Sequence, residues 1–160
     1  KRYIGNGAPK HFLSWSNNLT WRNFDLSVFF RGTFGFDVFN MRKYGMGLQG
    51  CGTDNVLRSA YLEDKNIRTG GGVISSYFLE DGSFIKLENV TLGYNFTPKN
   101  RKLLDNMRIY LSAKNLFTLT GYSGNDPSII DVNGIQPGVD SNSAYPTATQ
   151  LSLGVTLRFK

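Results

Sequence analysis

From Gln150 to Phe159 the chain alternates between two chemistries. Leu151, Leu153, Val155, Leu157 and Phe159 share one parity, while Gln150, Ser152, Gly154, Thr156 and Arg158 share the other. This is the pattern of a strand with one apolar and one polar face. Similar alternation predicts a first strand from about Phe12 to Trp21, with Leu13, Trp15, Leu19 and Trp21 on one parity interrupted by Asn17. Arg22 and Asn23 make a short turn, and a second strand returns from Phe24 to about Phe36, its apolar face formed by Leu26, Val28, Phe30, Phe34 and Phe36. A third strand covers about Ser83 to Phe96. Its apolar residues begin on odd positions at Ile85 and Leu87 and pass to even ones at Val90, Leu92, Tyr94 and Phe96, so a β-bulge is expected near Glu88 and Asn89. In the fourth, from about Met107 to Leu119, Met107, Ile109, Leu111 and Ala113 oppose Arg108, Tyr110, Ser112 and Lys114.

Alternation alone leaves two readings, an apolar face turned to a protein core or one turned to lipid. Strand length favours lipid, because the hairpin strands exceed the usual soluble length of about 5 to 6 residues and reach the roughly 9 to 11 that cross a bilayer. The connections run short, long, moderate, long, as in transmembrane barrels with brief periplasmic turns and extended outer loops. At the short-turn end the pattern places Trp21, Phe24, Tyr94, Phe96 and Phe159, which would form an aromatic girdle at a membrane interface. The fold class expected is all-β: an antiparallel transmembrane β-barrel sector of about five strands with two long extracellular loops.

The first long loop, 37–76, carries structure of its own in this reading. Thr53 or Asp54 is placed to cap a short helix lined by Val56, Leu57, Ala60 and Tyr61, with Gly70 to Gly72 ending the excursion. The second, 120–146, is rich in Gly, Asn, Asp, Ser and Pro. The first loop reads equally as a substrate or partner surface and as a packed cover.

Composition agrees with a β protein: aromatic residues make up 14% of the chain and Gly contributes 18 positions. No apolar run approaches the roughly 20 residues of a spanning helix. The net charge of +6 comes from Lys and Arg scattered over strands and loops, which argues against nucleic-acid binding. Cys51 is the single cysteine and His11 the single histidine, so neither a disulfide within the chain nor a recognisable nucleophile–base pair is available. Asp126, followed by Pro127, reads as a loop organiser rather than a calcium ligand. No catalytic residue, cofactor or metal is expected.

Five segments in order resemble the SusC/RagA family of TonB-linked outer-membrane transporters: Tyr3 to Pro9, Asn23 to Ser27, Asp81 to Tyr94, Ala113 to Pro127 (AKNLFTLTGYSGNDP, the most specific) and Tyr145 to Phe159. The resemblance implies a large plugged barrel of about 22 strands, of which residues 1–160 would be the C-terminal segment, the plug and the earlier strands lying outside this sequence. It also implies import of glycans or peptides, with a SusD-type surface lipoprotein as partner and the TonB system as energy source. Outer-membrane lipid and the barrel-assembly machinery would be further partners, and the C-terminus would be periplasmic. Lys160 after Phe159 departs from the aromatic ending common in such barrels. The polar parity would give the lumen Asn95, Arg108, Lys114 and Arg158. Arg108 and Arg158, expected near each other, either hold acidic or carbonyl groups of the plug or face water. A soluble carbohydrate-binding β-sandwich and a passive porin are the alternatives.

Overall fold

The structure, a computed structural model, describes residues 4–47, 55–58, 74–98, 104–128, 137–141, 145 and 147–160. Cys51, Gly70 to Gly72 and the basic residues Lys99, Arg101 and Lys102 lie outside them. The chain forms two compact units.

The unit built from Phe12–Gly32, Ile85–Leu119 and Thr147–Lys160 is strand throughout its regular parts. Its strands are β1 (His11–Trp21), β2 (Phe24–Phe34), β5 (Phe84–Phe96), β6 (Leu104–Thr120) and β8 (Gln150–Phe159), and they pair in the order β1-β2-β5-β6-β8. Every neighbour in space is the next long strand in sequence. This is the meander that the alternation predicts. Between them in the chain lie β3 (Asp37–Asn40), the short helix α1 (Met41–Met46), a single 3₁₀ turn (Ser76–Phe78), β4 (Leu79–Asp81) and β7 (Val139–Asp140).

In the long sheet the apolar parity is exposed on β1 and β8 and half-buried along most of β2. Leu151, Leu153 and Val155 of β8 are 71%, 75% and 57% exposed, although each is a residue that a soluble sheet would bury. β6 and β8 register Leu111 opposite Leu153 and Ser112 opposite Ser152, so each face is chemically uniform across the pair. On the polar face Tyr110 stands opposite Gly154, and its ring occupies the space into which a Cβ at 154 would project. An aromatic laid over a cross-strand glycine supplies the packing that the glycine lacks. Along β5 the exposed large residues are Ile85, then Leu92, Tyr94 and Phe96. Leu87, expected to share the face of Ile85, is buried instead.

β2 stops at Phe34, two residues short of its expected end. Gly35 takes φ 75°, a conformation open to glycine, and this breaks the alternation. Phe36 therefore enters a buried cluster with Val38, Phe84 and Tyr122 instead of continuing the apolar face.

That cluster belongs to the second unit, Lys1–His11, Thr33–Phe84 and Thr120–Pro146. Here β3 pairs antiparallel with β4 and parallel with β7, giving the order β4-β3-β7. Phe36 and Phe84 meet edge to face at 6.5 Å, and Phe78 packs against Phe39 and Tyr44. The helix expected after Thr53 is not found among its described residues, because residues 55–58 are non-helical and the Leu57 amide donates to the Met46 carbonyl at 2.7 Å. The described helix is α1. Asn40 caps it, its side-chain oxygen accepting the Lys43 amide at 2.8 Å. Among the described residues no helix is long and apolar enough to cross a membrane.

Candidate functional site

Antiparallel pairing of β2, β5 and β6 places one acid among polar-face residues of its neighbours. Asp25 of β2 accepts Nε of Arg108 at 3.2 Å and Nδ2 of Asn95 at 2.8 Å, and its second oxygen accepts a further guanidinium N–H of Arg108. The fork is therefore bidentate. Gly93 makes room for it, since a Cβ there would meet the Asp25 carboxylate. Elsewhere on this face Arg31 pairs with Glu88 at 3.3 Å, and Thr91, Ser112 and Asn89 form a hydroxyl–amide chain.

Of the lumen residues expected from the sequence, Asn95 and Arg108 thus come together. Lys114 and Arg158 do not join them: Lys114 lies opposite Gln150, and Arg158 lies opposite Asn106, two positions along β6 from Arg108. Asp25 is the member that sequence reasoning missed. Its signal was available, a carboxylate on the polar parity of β2 just after the Arg22–Asn23 turn.

The expected girdle residues share one end of the sheet. Trp21 and Phe24 stack at 6.5 Å, Phe24 meets Tyr94 at 4.8 Å, and Phe159 pairs with Leu104 at the start of β6. All five aromatic side chains are exposed, Trp21 by 69% and Phe159 by 63%. Asn23 fixes the turn beside them, donating from its side chain to the Asn95 carbonyl at 2.7 Å while its own carbonyl accepts the Asn95 amide.

In the second unit a polar hub gathers around Glu80 of β4. Lys43 of α1 approaches it at 3.2 Å, and the Ser123 amide and hydroxyl each donate to it at 2.8 Å. Buried Asn40 adds a side-chain donor to Ser123 at 3.2 Å. Burial pushes the Glu80 carboxyl up, but the two Ser123 donors and the Lys43 ammonium together hold it below its ordinary value. Nearby in sequence, Tyr122 donates its hydroxyl to Asp140 at 2.6 Å. Burial first, then that acceptor and the adjacent negative charges, push the phenol well above its ordinary range. Asp126 accepts the Ser128 amide at 2.8 Å, the loop-organising turn expected of it.

The hub borders a cavity of about 670 Å³ lined by Asn40, Arg42, Lys43, Leu57, Arg58, Glu80, Asp81, Gly121 and Ser123. None of these residues was expected from the sequence as a site residue, although Leu57 was expected on a short helix. They come from four stretches of the chain, brought together by the short β3–β4 pairing, the Leu57 amide bond to the Met46 carbonyl and the side-chain bonds among Asn40, Lys43, Glu80 and Ser123. His11 is an exposed residue at the start of β1. Among the described residues no group of three or more His, Cys, Asp or Glu is placed to hold a metal.

The chain is similar over 99% of its length to TonB-dependent receptor P3 of Formosa agariphila, at 26% identity, and over 90% to TonB-dependent receptor SusC of Bacteroides thetaiotaomicron, at 28%. No protein-family model matches it. Its fold superposes on the RagAB peptide importer in the closed-closed state with a TM-score of 0.77 over 98% of the chain, at 24% identity. The chain is similar to TonB-dependent receptors in sequence and to the RagAB importer chain in fold. It spans only 17% and 14% of the two curated receptors and 18% of the RagAB chain. The open-open state of RagAB matches as well, with a TM-score of 0.75 over 94% of the chain.

Proposed function

We propose that this chain supplies barrel wall and outer loops to an outer-membrane active importer of the SusC/RagA type, with its C-terminus on the periplasmic side. Cargo of glycans or peptides would be captured with a SusD-type surface lipoprotein, and the TonB system would drive entry past a plug carried elsewhere in the protein. The observation that carries this reading is the near-complete match of the chain to TonB-dependent receptors. The exposed apolar parity of the long sheet supports it independently, because such a face is stable against lipid and costly against water. A carbohydrate-binding sandwich would bury that face against a second sheet.

Within this reading the Asp25–Arg108–Asn95 cluster ties three wall strands together on the lumen side. Arg108 then presents a plug group with a guanidinium already held in place. Arg158 and Lys114 are the lumen cations left for hydrated or plug contacts.

The test is fractionation of the full-length native protein. Retention in the outer-membrane fraction through a carbonate wash, co-purification with a lipoprotein in mild detergent, and uptake that stops when TonB is deleted are expected. Release as a soluble monomer would overturn the reading, and uptake independent of TonB would favour a passive porin.

A further inference from the structure

The cavity beside Glu80 has a lining whose charges are unequally matched. Lys43 is neutralised by Glu80 at 3.2 Å. Arg42 donates to the neutral side-chain oxygen of Asn125 at 2.9 Å, and Arg58 makes no hydrogen bond or ion pair among the described residues. Asp81 is occupied locally, one oxygen accepting the Ser83 amide at 2.9 Å and the Ser83 hydroxyl at 2.6 Å. Two guanidinium groups therefore face one concavity without a carboxylate of their own.

We propose that this cavity binds a carboxylate-bearing ligand, with Arg42 and Arg58 as the recognising forks. Planar guanidinium donors match a carboxylate bidentately, and two on one wall select for that group over a neutral polar one. Among the described residues three cations and two acids line the space, an excess of one positive charge. That balance suits a monoanion better than a phosphate dianion. The volume, about 670 Å³, lies within the range of about 300 to 1,000 Å³ usual for ligand sites and admits a few residues or sugar units. Among the described residues no aromatic side chain lines it, so the recognition they offer is by charge and not by stacking on a sugar face. The Glu80–Ser123 bonds and the Asn40 cap hold α1 in place, which fixes Arg42 before any ligand arrives.

This deepens the importer reading by naming the chemistry of its cargo, and it rests on that reading only in calling the ligand cargo. Two sources carry the group, an acidic peptide and a uronate glycan. The experiment is calorimetric titration of the purified full-length receptor in detergent, with its lipoprotein where the two co-purify. The probes are tetraglutamate against tetraglutamine, and tetragalacturonate against the neutral galactose tetramer. One acidic probe should bind more tightly than its neutral match, and R58Q should weaken that probe by about tenfold while leaving the neutral one unchanged. R42Q with R58Q should weaken it further, and affinity should fall as salt rises. Unchanged binding of the neutral probe by R58Q separates loss of carboxylate recognition from loss of structure. The glutamate and galacturonate arms distinguish peptide from glycan. Equal binding of acidic and neutral probes, or acidic binding untouched by R58Q and by the double variant, would overturn the proposal. Since titration needs neither TonB nor uptake, such a result would leave the importer reading to its own fractionation test.

Discussion

At the residue scale, Asp25 and Glu80 show how a carboxylate acquires a role from its surroundings. Asp25 is a quarter exposed and Arg108 somewhat more, so solvent screens their pairing and its worth is modest. A double-mutant cycle with D25A and R108A, read by urea unfolding in lipid vesicles, should return a coupling energy of about 1 kcal/mol. D25N should retain part of it, because the amide oxygen still accepts from Arg108. A coupling near zero would show that the two side chains meet without stabilising the wall. Glu80 is the opposite case, shielded and supplied with donors. Its folded value lies below the ordinary 4.5, so the stability it lends is fully present above pH 4.5 and is lost as pH falls through the folded value. Hydrogen-exchange protection of the Ser123 amide, corrected for intrinsic exchange, should fall in that acid window and stay flat in E80Q. Neither partner set was legible beforehand. Arg108 and Asn95 were picked out by parity, but Asp25 joins them only through the pairing of three strands. Glu80 meets Ser123 across forty-three positions of chain.

At the scale of elements, what the sequence revealed depended on what each strand faces. The long strands lie between two different surroundings, and this writes a period of two into every one of them. Their extents were accordingly read to within a few residues, and β8 at both ends. β3, β4 and β7 carry no such record. They are four, three and two residues long, and backbone bonds from distant segments, such as the Phe39 amide to the Gly138 carbonyl at 2.6 Å, define them. The two faces of β6 provide a test. L111R should cost about 2 to 4 kcal/mol of folding stability in a bilayer, whereas S112R, one residue along on the polar face, should be close to neutral. Equal tolerance of the two arginines, measured by the same unfolding assay, would remove the lipid-facing assignment.

At the scale of the whole molecule, the chain divides its work between two units with different sources of order. The long sheet draws little on a buried apolar core, and its apolar surface is complete only when a solvent other than water covers it. The second unit is held by a small aromatic cluster and by charged and amide groups drawn from separated segments. Its polar bonds are therefore the ones a change of pH will reach first, while a change of lipid thickness bears on the sheet.

The ring of Tyr110 over Gly154 carries a consequence for anyone rebuilding such a wall. Volume at one position is borrowed by the other, so the two residues form a single exchangeable part although they sit on different strands. A β8 grafted from another barrel with a branched residue at 154 would find its seat already taken. Moving the tyrosine and the glycine together would keep the strands flush.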